Sequence, residues 1–215
     1  MAENIIRRSP VTFDGTPART EMRDNWTVVL EYEDQGDGPW LIDLSHRARW
    51  DLQDREIDAI QPWGLTIPDV PGRCSYENGI LINRMNRTQS ALWHLSGDIT
   101  DSPEETSYTD VTDATVFLAL IGQNLAAVFE KLSALDFFNP LNETPFLLQG
   151  PLAHVPCQCV MLARSPDRSA LLFTCSRGYA RDMVHAVLDS GMEFGMRPAG
   201  ETVFHNWLSE VRHAK

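Results

Sequence analysis

Positive charge is in short supply in this 215-residue chain: lysine and arginine total 18 against 30 aspartates and glutamates, a formal charge of −12. A phosphate backbone has to be neutralised by basic side chains, so nucleic acid is excluded as the main partner. The acidic excess is assigned to solubility. Neither a leader nor a membrane span is expected. The start carries Arg7 and Arg8 with no apolar stretch behind them. The longest apolar run, residues 115–129, is broken by Gly122-Gln123-Asn124 and is too short for a bilayer. A cytoplasmic protein without a membrane partner is expected. Cysteine is scarce as well: Cys74, Cys157, Cys159 and Cys175 read as reduced, buried thiols rather than a disulfide framework.

Nucleotide fingerprints are missing. Gly191-Met-Glu-Phe-Gly195 follows a helical stretch where a phosphate loop would open one. Cys157-Gln-Cys159 places two thiols on one face of a strand by alternation. Two ligands are not four, however, and neither Cys74 nor Cys175 has a partner at metal spacing, so no metal is expected. A cysteine nucleophile would need His154 or His185 as base, and nothing fixes either histidine beside a thiol. No nucleophile elbow is present.

What the chain does have is an ordinary globular balance, 43% hydrophobic and 22% charged, and enough length to bury roughly 70–75% of its unfolded surface. The first half reads as strands and turns. Residues 26–32 and 40–44 are apolar runs, a strand continues through Trp50 and Leu52, and residues 61–68 are too proline-rich for a helix. Residues 79–85 and 90–95 flank Asn86-Arg-Thr-Gln89 as a hairpin. The acidic stretch up to Asp113 marks a connection. After it come a buried strand at 115–121, a helix through Leu125, Val128, Phe129, Leu132 and Leu135, strands at 157–163 and 169–175, and a helix through Tyr179, Met183, Val184, Val187 and Leu188 closed by Gly191. A last helix carries Phe204, Trp207, Leu208 and Val211. Strand, helix, strand, strand, helix is the order of a ferredoxin-like module, so the class is α+β. One domain, residues 1–215, is expected in two halves: strand-rich 1–97, an acidic connection 98–113, and ferredoxin-like 114–215.

Polar groups on strands are the remaining candidates. Asp43, Ser45 and His46 cluster where an apolar run ends, and Asn83 and Arg84 interrupt an apolar strand. Such a pair either lines a cleft or, because an alternating strand exposes one of any two neighbours, sends one member to solvent.

Several segments resemble a known family. Leu41-Ile-Asp-Leu-Ser-His46 is similar to the aspartate-x-serine-histidine segment of the glycine-cleavage T-protein, a folate-dependent aminomethyltransferase. Asn78-Gly-Ile-Leu-Ile-Asn-Arg84 resembles the strand that bears that family's catalytic carboxylate, and residues 111–124 its strand-then-helix. Residues 191–200, with Gly195, Pro198 and Gly200, resemble its glycine–proline–glycine turn. A shorter relative, the sarcosine oxidase gamma-subunit family, is closer in size and shares Arg8-Ser-Pro10 and Tyr179-Ala-Arg-Asp-Met-Val184. The resemblance implies an aminomethyltransferase-like, folate-binding fold of ferredoxin-like antiparallel modules without a C-terminal barrel. Asp43, Ser45, His46, Gly195, Pro198 and Gly200 would be its structural positions.

Departures from the pattern bear on activity. Asn83 or Arg84 stands where the catalytic aspartate should be, and neither takes up a proton as a carboxylate would. Of the family's folate loop only Arg164 remains, and Glu201-Thr-Val-Phe204 replaces an arginine–aspartate pair. The implied role is a non-catalytic, gamma-type subunit of a flavin-dependent sarcosine oxidase-like amine oxidase or dehydrogenase in one-carbon metabolism. This chain alone would bind no cofactor, and its larger flavoprotein partner subunits would carry FAD, FMN and NAD. The alternative is a stand-alone folate-dependent aminomethyl or methyl transferase, with Asn83, Arg84, Arg164 and Tyr179 lining a tetrahydrofolate cleft.

Overall fold

The computed structural model describes residues 6–97, 102–103, 107–165 and 168–213. Strands β1 (Pro17–Arg23) and β2 (Trp26–Tyr32) form a two-stranded antiparallel hairpin. It reverses at Asp24 and Asn25, both left-handed with φ of 43° and 63°, a conformation these residues tolerate better than most. Strands β3 (Trp40–Asp43) and β4 (Arg49–Gln53) follow, then β5 (Cys74–Glu77), β6 (Ile80–Asn86), β7 (Gln89–His94) and β8 (Tyr108–Asp110). The remainder runs β9 (Thr115–Gly122), α1 (Leu125–Leu132), β10 (Phe146–Leu152), β11 (Val155–Ala163), β12 (Ser169–Ser176), α2 (Ala180–Gly191), β13 (Arg197–Ala199) and α3 (Glu201–His213).

The class is α+β, as the strand–helix order implied. A six-stranded sheet runs β10-β11-β12-β9-β3-β13, and a five-stranded sheet runs β5-β6-β7-β4-β8. Pairing is antiparallel except for β13 alongside β3. Strand β9 explains how the layers stack. Its Val116, Leu118 and Leu120 face a core shared with α1 and α2. The alternate residues Phe117, Ala119 and Ile121 face a second core, closed by the five-stranded sheet and by Phe204 and Trp207 of α3. A strand buried on both faces reads as one unbroken apolar run, which is how residues 115–121 appear in the sequence.

Strand β6 is covered on both faces too, and this corrects an expectation. Leu81 and Met85 enter the core between the sheets. Ile80 and Ile82 enter a third core, roofed by Ile57, Leu65 and Ile67 of the preceding loop. Asn83 and Arg84 are therefore both buried, at 0% and 1% exposure, so the alternative in which one of them faces solvent does not hold.

Five strands were not anticipated: β1, β5, β8, β10 and β13. Strand β10 is an edge strand carrying Gly150 and Pro151, residues that an edge accommodates and a central strand does not. Strand β8 falls within the expected acidic connection; residues 98–101 and 104–106 of that connection lie outside the described residues. Its return to β9 is held by Arg49, which has no exposed surface. The Arg49 guanidinium donates to the carbonyls of Ser45 (3.2 Å), Thr112 (2.6 Å) and Thr115 (3.0 Å) and to that of Arg47. Its Nε donates to Thr115 Oγ1 at 3.0 Å. Burial lowers the Arg49 pKa to about 10, against the charges of Asp43, Asp110 and Asp113.

Candidate functional site

The segment after β3 is fixed by its own polar side chains. Asp43 accepts the Ser45 backbone N–H at 2.9 Å and the Ser9 hydroxyl at 2.5 Å. Ser45, fully buried, accepts the Phe117 N–H at 3.1 Å, which clamps the turn onto β9. His46 is thereby aimed at the start of α3, with Nε2 2.7 Å from Glu201 Oε1.

Glu201 is the first residue of α3, and its side chain has no exposed surface. Four basic side chains reach it. Besides His46, Arg47 Nε donates to Oε1 at 2.7 Å, Arg23 of the hairpin donates to Oε2, and His205, one turn along α3, lies 3.6 Å away. Arg47 Nη2 also contacts His205 Nε2. That nitrogen must accept, so the contact requires a neutral His205 ring. Burial opposes the Glu201 charge, but the His46 hydrogen bond and the charges of His46 and Arg47 hold its carboxyl well below the usual range. The N-terminus of α3 adds a favourable dipole. Burial, with Arg47, Arg23 and His46, keeps the His205 pKa below its ordinary value despite Glu201. Burial and the nearby Arg47 charge likewise lower His94 to about 4.

Beside this network lies a cavity of about 440 Å³. The strand-like segment before β1, strand β2 and the Asp43–His46 turn enclose it, and Arg8, Phe13, Trp26, Tyr32, Asp43 and His46 are among its walls. Burial and the Asp43 charge push the Tyr32 phenol up to about 12, so it holds its proton at neutral pH. Ser9 gives its hydroxyl to Asp43, and His46 is committed through Nε2 to Glu201. The Asp43 carboxylate that takes the Ser9 hydroxyl is itself held by the Ser45 backbone N–H. The arrangement encloses a small cavity and ties the segment before β1 to the Asp43–His46 turn.

The residues expected to line a folate cleft are dispersed. Asn83 lies between the two sheets, and neither polar atom of its amide has a hydrogen-bond partner among the described residues. Arg84 projects from the opposite face of β6, 2.8 Å from Asp58, and donates to the carbonyls of Asn86 and Arg87. Arg164 follows β11 and donates to the carbonyls of Asn139 and Asn142. Tyr179, 47% exposed, precedes α2 at the other end of β12. Arg164 and Tyr179 are thus separated by the length of an eight-residue strand, on the order of 25 Å.

The turn before α3 is tight for a physical reason. Gly195 is left-handed at φ 74°, Pro198 sits in β13, and a Cβ on Gly200 would lie 2.1 Å from the Leu30 carbonyl oxygen. Sequence reasoning missed the Glu201 network. An acidic residue just after a glycine and opening an apolar-periodic stretch is a helix-start signal, but its partners Arg23, Arg47 and His46 are more than 150 positions away. Among the described residues, no set of three histidine, cysteine or acidic side chains is placed to hold a metal ion, and no helix is long and apolar enough to cross a membrane.

No protein-family model matches the sequence, and no curated protein is similar to it. A solved structure is. One chain of the heterotetrameric sarcosine oxidase from Corynebacterium sp. U-96, in complex with pyrrole 2-carboxylate, matches with a TM-score of 0.59 and 14% sequence identity. The match covers 72% of this chain and 84% of that one. The two share a fold.

Proposed function

We propose that this chain is a non-catalytic, gamma-type subunit of a multi-subunit, flavin-dependent sarcosine oxidase-like amine oxidase or dehydrogenase. The observation that carries the reading is the shared fold with a chain of a heterotetrameric sarcosine oxidase, which spans most of that chain. The matched chain is the shorter of the two by those coverages, so the likeness is to a small chain and not to a fragment of a large one. The site chemistry agrees. Where the aminomethyltransferase pattern puts a carboxylate, the chain has Asn83 or Arg84, and both are buried. The larger partners would carry FAD, FMN and NAD, and this chain would contribute fold and contact surface. Its six tryptophans and nine phenylalanines include side chains of the kind that anchor interfaces.

Affinity purification of the tagged full chain from its native cells tests the proposal. The expected result is a yellow complex whose flavin is bleached by a secondary amine such as sarcosine. Recovery of the chain alone, colourless, would overturn it. Calorimetric titration of the isolated chain with tetrahydrofolate separates the stand-alone transferase. Binding tighter than about a millimolar, a weak-ligand threshold, would favour that reading instead.

A further inference from the structure

Three of the four cysteines meet on one face of the six-stranded sheet. Cys157 and Cys159 of β11 and Cys175 of β12 all enter the core beneath α1 and α2. In the β11–β12 ladder Gln158 stands opposite Thr174 and Cys159 opposite Phe173, so Cys157 stands opposite Cys175. We propose that Cys157 and Cys175 form a peroxide-oxidisable dithiol that closes a cross-strand disulfide within the fold.

Geometry selects this pair. Directly opposed residues of an antiparallel ladder have Cα atoms roughly 4.5–5.5 Å apart, inside the range of about 4.4–6.8 Å that disulfides occupy. Cys157 and Cys159 are two positions apart on one strand, and their parallel Cβ vectors keep the Cβ atoms about 6.6 Å apart, beyond the roughly 3.5–4.5 Å that a disulfide spans. Cys74 lies on β5 of the other sheet. The thiols also differ in reactivity. Hydrogen bonds from Cys159 and Cys175 favour the Cys157 thiolate, and burial opposes it less strongly. The same hydrogen bonding, with burial, pushes Cys159 and Cys175 up. The thiolate is the nucleophile, so Cys157 attacks first. Its surface is not fully closed, with 6% exposed against 4% for Cys175 and none for Cys159, and hydrogen peroxide is little larger than water.

The electrons balance against one peroxide. The Cys157 sulfur attacks a peroxide oxygen, the O–O bond breaks, and water leaves, giving a sulfenic acid. The Cys175 sulfur then displaces the sulfenic oxygen as a second water, and the S–S bond forms. Two thiols lose two electrons and two protons, and one hydrogen peroxide becomes two waters. The inference is independent of the subunit reading.

The test is hydrogen peroxide titration of the native full-length protein, followed by thiol blocking, non-reducing digestion and mass spectrometry. A Cys157–Cys175 linked peptide is expected, two hydrogens lighter than the separate peptides and reversed by dithiothreitol. In Cys175→Ser, peroxide should leave Cys157 as a sulfenic acid that dimedone captures, while Cys159→Ser should still form the link. Wild-type protein whose cysteines all stay reduced at peroxide doses that oxidise glutathione completely would overturn the proposal. A dominant link to Cys159 or Cys74 would also do so. The wild-type peptide map decides the matter even if a variant fails to fold.

Discussion

Glu201 shows how a charge survives without solvent. Its two oxygens are divided between Arg23 of the hairpin on one side and Arg47 and His46 of the β3–β4 turn on the other. Removing one partner of such a buried set typically costs about 3–5 kcal/mol, because the opposite charges stay buried without compensation. Glu201→Gln should therefore lower stability by an amount in that range, read from the urea midpoint at neutral pH. The pH dependence follows from the direction of the shift. The folded pKa lies below the unfolded value of about 4.3, so the stabilisation is complete above that pH and is lost as pH falls toward the folded value. His205, also held below its ordinary value, acts with the same sign, from about pH 6.5 downward. Glu201→Gln should accordingly flatten the acid limb of the stability curve. A variant with the wild-type midpoint and the wild-type acid limb would show that the network contributes nothing. At this scale the Asp43–His46 cluster was legible because it is contiguous. Glu201 was not, because nothing local to residue 201 says which arginines will reach it.

Elements were legible in proportion to how locally their burial is decided. Helices α1, α2 and α3 show one apolar face each, and β6 and β7 are joined by a short polar turn, so periodicity finds them. Strand β10 escaped because Gly150 and Pro151 argue against a strand unless it is known to be an edge. Strand β8 escaped because its Tyr108-Thr-Asp110 is held by pairing with β4 and by Arg49, not by its own pattern. The junction of β13 and α3 is set by close approach to β2, where Gly200 meets the Leu30 carbonyl. Gly200→Ala should force β2 away from α3 and loosen the Arg23–Glu201 contact. The expected cost is roughly 1–3 kcal/mol, the usual size of an overpacking penalty. Amide hydrogen exchange should speed up across β1 and β2 before it does elsewhere. Unchanged exchange in the hairpin would mean that the backbone absorbs the methyl group without moving.

For the whole molecule, the halves seen in the sequence are not separate in space. Strand β3 comes from the first half, yet it lies between β9 and β13 of the second. Its Leu41 enters the helix-covered core, while Ile42 enters the core between the sheets. Strand β9 serves both cores in the same way. Composition shifts along a chain mark where it is exposed, and they carry no record of a strand donated across the boundary. That donation has a thermodynamic consequence. If the five-stranded sheet unfolded first, it would uncover Phe117, Ala119, Ile121 and Ile42 on the six-stranded sheet. Exposing a large buried side chain costs about 1.5–3 kcal/mol, so the partly unfolded state should be too unstable to accumulate. The chain should unfold in one cooperative transition despite exceeding the size at which this is usual. Differential scanning calorimetry checks this: a single peak with calorimetric and van't Hoff enthalpies in agreement is expected. Two resolved peaks, with one removed by deleting residues 44–113, would instead make the five-stranded sheet an independent unit.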